Sequence, residues 1–93
     1  MADVLIYTKS WCGFCYRAKS LLELNGVGYE EIDVEAEPAL EIEMIRRAGG
    51  GVTVPQVFIR GEHVGGSDEL ANLAMRGGLE GLAPPAAEDG EES

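Results

Sequence analysis

Two cysteines, Cys12 and Cys15, are the residues of this sequence with the clearest capacity for chemistry. They flank Gly13-Phe14, and a spacing of three residues in the first turn of a helix places both sulfurs on one side, where they can close a short disulfide. The backbone N–H groups at a helix start have no partner within the helix and carry positive partial charge, so they favour a thiolate at Cys12. Lys9 adds a cation nearby. The spacing therefore predicts a redox pair in which Cys12 is the nucleophile and Cys15, one turn deeper, is the protonated resolving thiol.

A Cys-x-x-Cys pair has two alternative uses besides redox chemistry, structural zinc binding and hydrophobic packing. A closed structural zinc site needs four ligands, and the chain offers only His63 as a further strong candidate, with no second cysteine pair. The two cysteines could also pack as small hydrophobic side chains. Such packing would not explain why they occur at the first turn of a helix that follows a strand. Redox chemistry is therefore the favoured interpretation.

The cysteine pair must be positioned by an alternating series of strands and helices. Strand-forming residues occupy 4–7, 29–34, 54–59 and 63–64, with a turn at 60–62 between the last two segments. Apolar residues at helical spacing follow Cys12 up to Asn25-Gly26, follow Pro38 up to the glycines at 49–51, and follow Ser67, the predicted N-cap, up to Gly77-Gly78. The order predicts an α/β domain with a four-stranded mixed sheet flanked by three main helices, because helix-linked parallel strands meet a hairpin.

Composition limits the domain count and the partners. We predict one domain over residues 1–83 and a disordered acidic tail over 84–93, where apolar residues become too few to offset the entropy of ordering. Seventeen acidic and seven basic residues give a net charge of −10, which disfavours nucleic acid and anionic membranes as partners.

Two cysteines are too few for a disulfide-dense secreted scaffold, no apolar run is long enough to span a membrane, and no targeting segment is evident. We therefore expect a cytoplasmic protein.

Three motifs together resemble the glutaredoxin family. These are Tyr7-Thr8-Lys9-Ser10-Trp11-Cys12-Gly13-Phe14-Cys15, then Thr53-Val54-Pro55-Gln56-Val57-Phe58-Ile59, and then Gly65-Gly66-Ser67-Asp68. They occur in the family's order and at suitable spacing, and the resemblance covers residues 3–82. It implies a thioredoxin-like fold and a glutathione-dependent thiol-disulfide oxidoreductase.

The resemblance also implies roles for the cysteines and for the loop before the third strand. Cys12 would attack a mixed disulfide between a protein and glutathione, and a second glutathione would then regenerate it. Cys15 would resolve the intermediate formed with an ordinary protein disulfide. Pro55 matches the family's cis-proline, and with Thr53 before it, Val54 would offer its backbone to the cysteinyl part of glutathione.

The remaining glutathione contacts are implied in the same way. Gly66, Ser67 and Asp68 begin a helix whose free N–H groups would hold the γ-glutamyl carboxylate, and the Asp68 side chain would hold the ammonium. Lys9 matches a basic residue near the glycyl carboxylate, and Phe14 matches an aromatic residue beside the first cysteine. Because the basic residue often found before Thr-Val-Pro is absent, we predict that Arg46 or Arg47 supplies a carboxylate contact.

The dipeptide Gly13-Phe14 and the neighbouring Trp11 leave alternatives open. Gly-Phe is typical of monothiol members of the family, some of which hold a bridging [2Fe–2S] cluster with two glutathiones, so a cluster carrier that uses Cys12 is one alternative. A redoxin reduced by thioredoxin reductase is a second, and a binding module with an idle cysteine pair is a third. As partners we expect glutathione, glutathionylated or disulfide-containing proteins and, indirectly, glutathione reductase, acting on a monomer.

Overall fold

The computed structural model describes residues 2–85 of the 93-residue chain. The elements follow in the order β1 (Val4–Thr8), α1 (Gly13–Leu24), β2 (Tyr29–Asp33), α2 (Pro38–Arg47), β3 (Gln56–Ile59), β4 (Glu62–Gly65) and α3 (Ser67–Met75). The strands form one sheet in the order β2-β1-β3-β4, in which β1 is parallel to β2 and antiparallel to β3, and β3 is antiparallel to β4. The predicted four-stranded mixed sheet with three helices is confirmed.

Strand β1 lies inside the sheet and is covered on both faces, as its continuous apolar sequence predicts. Its side chains alternate, so Val4 and Ile6 pack with the residues of α1 and α3, whereas Tyr7 packs with Met44 of α2 and with Phe58. Each large side chain fully buried in this way stabilises the fold by about 1.5–3 kcal/mol relative to exposure. The two-sided packing fixes the carboxyl end of β1, from which the chain passes to the cysteines.

The helix ends follow from local sequence. Pro38 occupies the first turn of α2, where its missing N–H costs no hydrogen bond. Asn25 caps the end of α1, its side-chain Nδ2 donates to the Leu21 carbonyl oxygen at 2.8 Å, and Gly26 follows with a positive φ of 70°. The Arg60-Gly61 turn between β3 and β4 also has positive φ at both residues, 50° and 86°, as a two-residue hairpin turn of type I′ requires.

Two local predictions differ from the structure. Gly66, and not Ser67, is the N-cap residue of α3; the Glu69 carboxylate accepts a hydrogen bond from the Gly66 N–H at 2.8 Å, and Ser67 is the first helical residue. Val54 lies outside β3, which begins at Gln56, because Pro55 has no N–H to donate to a neighbouring strand. Both differences matter to the site, since they leave the Val54 backbone and the start of α3 facing one groove.

The end of the described chain packs far from the carboxyl end of β1. The Gly28 N–H donates to the Ala83 carbonyl oxygen at 2.9 Å, and the Ala83 N–H donates to the Asp3 carboxylate at 2.8 Å. Pro84, the first residue of the predicted tail, lies against Gly28, and residues 86–93 of that tail fall outside the described residues. Within residues 2–85, no helix combines the length and the apolar character needed to cross a membrane.

Candidate active site

Cys12 lies where the chain turns from β1 into α1. It is the N-cap residue of the helix, with an extended backbone (φ −107°, ψ 109°), and its Sγ accepts a hydrogen bond from the Cys15 backbone N–H at 3.2 Å. Trp11, just before it, has a φ of 58°, which aims the chain into the helix and leaves the indole fully exposed. Cys12 is half-buried and carries a free thiol. The Cys15 N–H, one of the free N–H groups of the helix start, is thus directed at this sulfur.

Cys15 has a contrasting environment. Its side chain is only 2% exposed, and its thiol is free. Burial, and secondly the hydrogen bond with Cys12, raise the pKa of the Cys15 thiol to about 12, although the Lys9 backbone N–H and the Lys19 charge act in the opposite direction. Cys15 is therefore a thiol at neutral pH, and its role as the resolving thiol stays a prediction.

The raised pKa of Cys15 predicts a steep pH dependence for closure of the disulfide. The thiolate is the attacking form, and burial still keeps the pKa of the Cys15 thiol above its usual range in the intermediate, so the thiolate fraction rises tenfold with each pH unit below that pKa. After Cys12 reacts with a small chromogenic disulfide, release of the second chromophore by Cys15 should therefore accelerate about tenfold per unit between about pH 6 and 9. A stopped-flow absorbance trace measures this rate, and a plateau within that range would contradict the buried-thiol assignment.

The loop before β3 faces Cys12. The Val54–Pro55 peptide bond is cis, and the Cys12 thiol donates toward the Val54 carbonyl oxygen at 3.8 Å. Buried Gln56 holds this loop, since its Nε2 donates to the Thr53 carbonyl oxygen at 2.9 Å and its Oε1 lies 2.6 Å from Nε2 of His63. Gln56 was not among the predicted site residues, and the signal for it is a polar side chain in an otherwise apolar strand.

A groove of about 310 Å³ runs from the loop to the start of α3. It brings together seven of the predicted glutathione contacts and adds Glu69; the predicted residues are Phe14, Thr53, Val54, Pro55, Gly66, Ser67 and Asp68. The Gly66 N–H is already bonded to Glu69, whereas Ser67 and Asp68 lie in the first turn, where N–H groups have no intrahelical partner. Asp68 also faces Arg17 of α1, at 3.7 Å between carboxylate and guanidinium. This feature is called the loop groove.

A second groove, of about 500 Å³, lies on the other side of the cysteines between α1 and the end of β2. Its lining includes both cysteines and Lys9, together with Thr8, Lys19, Glu31 and Asp33. Lys9 is not a free cation, since its Nζ lies 3.1 Å from the Glu41 carboxylate. The structure therefore places Lys9 beside the cysteines but across from the loop groove. This second feature is called the strand groove.

The two arginines of α2 are placed differently from the other predicted contacts. Arg47 donates to the Tyr7 hydroxyl at 2.8 Å and its guanidinium lies 4.9 Å from the centre of the Phe58 ring, so it covers the sheet face under α2. Arg46 is exposed in the last turn of α2, where a cation complements the helix dipole. Neither side chain is among the described residues that line the two grooves.

Metal binding is an alternative use of the cysteine pair. Among residues 2–85, no group of three or more His, Cys, Asp or Glu side chains converges as a set of metal ligands. The geometry of a single chain therefore adds no support to the hypothesis of an iron-sulfur cluster.

Known proteins resemble this chain over most of its length. The family model described as Glutaredoxin matches residues 4–64. Glutaredoxin 3 of Escherichia coli K12 is 49% identical over 82 residues, which cover 88% of this chain and 98% of that protein. A glutaredoxin of Pseudomonas aeruginosa is 46% identical over 82 residues, which cover 88% of this chain and 96% of that protein.

Solved glutaredoxin structures also superpose on this chain. The crystal structure of a buckwheat glutaredoxin-glutathione complex superposes with a TM-score of 0.75 at 32% identity, covering 84% of this chain and 73% of that one. The solution structure of glutaredoxin from Brucella melitensis superposes with a TM-score of 0.72 at 48% identity, covering 86% of each chain.

Fold and site together define a thiol-disulfide oxidoreductase of the thioredoxin-fold superfamily, with a half-exposed and a buried thiol at the start of its first helix. The relatives make the assignment more specific. The chain belongs to the glutaredoxin family.

Proposed function

We propose that this protein uses glutathione to reduce protein-glutathione mixed disulfides and protein disulfides. The observation that carries the proposal is the 3.8 Å contact between the Cys12 sulfur and the Val54 carbonyl oxygen, which places the nucleophile beside the loop groove. A family member from buckwheat was solved as a complex with glutathione, which supports the same ligand here. We further propose that the protein acts in the cytoplasm, where thiols are kept reduced.

Removal of glutathione from a protein requires Cys12 alone. The Cys12 thiolate attacks the glutathione sulfur of the mixed disulfide, forms a new disulfide with it and releases the protein thiolate, which takes a proton. A second glutathione thiolate then attacks the same glutathione sulfur, so oxidised glutathione leaves and Cys12 is restored. Throughout the cycle the Cys12 sulfur lies at the start of α1, within hydrogen-bond distance of the Cys15 backbone N–H.

Reduction of a protein disulfide uses both cysteines. Cys12 attacks one sulfur of the target, and Cys15 then attacks Cys12, so the Cys12–Cys15 disulfide forms and the target leaves as a dithiol. Two glutathione molecules return the pair to the reduced state. Burial keeps Cys15 protonated until this step, which prevents it from competing with Cys12 for targets.

The loop groove matches the polar groups of glutathione. Val54 lines this groove, and its backbone would pair with the cysteinyl residue as an added strand. The first-turn N–H groups of α3 at Ser67 and Asp68 suit the γ-glutamyl carboxylate, and the Asp68 carboxylate suits the ammonium. The glycyl carboxylate would have to extend past the cysteines to reach Lys9, which lines the strand groove, and there it would compete with Glu41 for the ammonium.

Asp68→Ala is expected to raise the KM for glutathione about tenfold with a smaller change in kcat. The reason is the loss of one charge-assisted hydrogen bond to the ammonium, worth about 1.5–3 kcal/mol, offset in part by solvent at this exposed site. Steady-state kinetics at varied glutathione concentration measure both constants. Asp68→Glu should recover part of the affinity, and Glu62→Ala, which removes an exposed carboxylate from β4, is the matched control. A KM equal to that of the control would remove Asp68 from the binding site.

The source of electrons tests the proposed function as a whole. NADPH oxidation is followed with a glutathionylated peptide as substrate, once with glutathione plus glutathione reductase and once with thioredoxin reductase alone. We expect turnover with glutathione only. Turnover with thioredoxin reductase only would overturn the proposal in favour of a redoxin served by that enzyme.

A further inference from the structure

A polar cluster of Thr8, Lys19 and Glu31 lines the strand groove, outside the groove proposed for glutathione. The Thr8 hydroxyl, which is buried, donates to Oε2 of Glu31 at 2.7 Å, and the Lys19 ammonium donates to the same oxygen at 3.0 Å. The Thr8 hydrogen bond is the main cause that lowers the pKa of the Glu31 carboxyl. Glu31 is therefore a carboxylate at neutral pH, and it holds the Lys19 ammonium in one place.

This cluster lies next to the resolving cysteine. Lys19 follows Cys15 by four residues on α1, so both side chains project from the same side of the helix. Thr8 precedes Lys9, whose backbone N–H is hydrogen-bonded to Cys15. The same groove thus contains the buried sulfur and a cation that is fixed by two strands, β1 through Thr8 and β2 through Glu31.

We propose that Lys19 is a positioning residue that stabilises the negative charge of Cys15 during closure of the disulfide, and that Glu31 sets how strongly it does so. The inference rests on the proposed role of Cys15 as the resolving thiol. In that step the Cys15 thiol loses its proton to solvent and its sulfur attacks Cys12 in the Cys12-glutathione disulfide. The Cys12–Cys15 bond forms, the bond from Cys12 to glutathione breaks, and the glutathione thiolate leaves with the electron pair and is then protonated.

The other ionisable groups that line the strand groove are less suited than Lys19 to stabilise a charge on Cys15. Besides Lys19 and Glu31, the lining contains Lys9, Asp33, Tyr16 and Cys12. Lys9 reaches Cys15 through its backbone, while its ammonium is paired with Glu41 on α2. Lys19 is the only side-chain cation in the described part of the chain that lowers the pKa of Cys15.

Substitutions of Lys19 and Glu31 are expected to change the rate of disulfide closure in opposite directions. Lys19→Gln removes the cation and should slow closure, whereas Glu31→Gln leaves the cation without its neutralising partner and should accelerate closure. A shift of one pKa unit changes the rate about threefold, because a less basic thiolate is also less nucleophilic, with a Brønsted coefficient near 0.5. Because Lys19 is the smallest of the contributions to the pKa of Cys15, we expect a decrease of up to about threefold for the first variant and an increase of up to about threefold for the second.

The experiment follows the full chain after reaction with oxidised glutathione. Samples are quenched with acid, and mass spectrometry gives the fractions of Cys12-glutathione disulfide and of the Cys12–Cys15 disulfide at each time between about pH 6 and 9. Lys19→Arg should restore the closure rate. Arg76→Gln and Glu62→Gln make the same charge changes at exposed positions on other elements and should match the wild type.

Opposite effects of Lys19→Gln and Glu31→Gln, together with recovery in Lys19→Arg, would support the proposal. Slower closure in both glutamine variants would indicate a merely structural cluster and would overturn it, as would rates equal to those of the two controls. If the wild-type protein forms the Cys12-glutathione disulfide but never closes it, the role of Cys15 itself fails, which is a different result from failure of the Lys19 assignment.

Discussion

Replacement of the nucleophile in Cys12→Ser is expected to abolish both removal of glutathione and reduction of protein disulfides. A hydroxyl is not ionised at neutral pH and forms no disulfide, so the rates should fall by at least about three orders of magnitude. Unfolding should not confuse the result, because Cys12 is the N-cap residue of α1 and serine is among the side chains favoured at that position. Both activities are measured with glutathione reductase as the coupling enzyme.

Circular dichroism of Cys12→Ser provides the control, with a melting temperature at or above that of the wild type expected. Substantial activity in the folded variant would show that Cys12 is not the nucleophile. The Cys15 thiol would then have to act from its buried position, against the contrast of environments seen in the structure.

Removal of the resolving thiol in Cys15→Ser should separate the two reactions. Removal of glutathione from a glutathionylated peptide should persist, since it requires only Cys12. Reduction of a protein disulfide should fall by about a hundredfold or more, because an intramolecular attack with a high effective molarity is replaced by attack from glutathione in solution. The two substrates are compared with the same enzyme preparation.

Because Cys15 is buried, the choice of replacement matters. A serine hydroxyl buried without a partner costs about 1–3 kcal/mol, so Cys15→Ala, which buries no polar group, is the second variant. Both variants should show the same separation of activities. Equal loss of both activities in both variants would be incompatible with the assigned roles.

The fold was predictable because its signals are local. Glycine, proline and asparagine mark the ends of the elements at Asn25-Gly26, Pro38 and Gly77-Gly78, and the apolar run of β1 indicates a strand covered on both faces. The N-cap of α3 was missed by one residue, since serine is favoured at that position and the Glu69 carboxylate instead binds the Gly66 N–H.

The candidate site was predictable only where motifs carry it. The cysteine pair and the start of α3 follow from residue order, and the cis peptide before Pro55 follows from the resemblance to the glutaredoxin family. The structure brings the last two features into one groove beside Cys12. Sequence reasoning could not show which carboxylate each cation meets. Lys9 with Glu41 and Arg17 with Asp68 join different elements, so their pairing depends on how helices and strands pack.

The same reasoning explains two further results. Arg47 was considered for a carboxylate contact, but its guanidinium stacks on Phe58 and bonds Tyr7, because a planar cation is stabilised by aromatic faces within reach. The cluster of Lys19 and Glu31 was not anticipated, since a lysine and a glutamate twelve positions apart carry no local signal. Partners of this kind become visible only when the sheet register is known.

The exposed indole of Trp11 gives the protein an optical reporter of its own chemistry. It is the only tryptophan in the sequence, it is fully exposed, and it directly precedes the nucleophilic cysteine. Its fluorescence therefore comes from one place, next in sequence to the sulfur that reacts. We expect disulfide formation at Cys12 to change this fluorescence, which would allow the reaction to be followed on the unlabelled chain without a coupling enzyme or a chromogenic substrate.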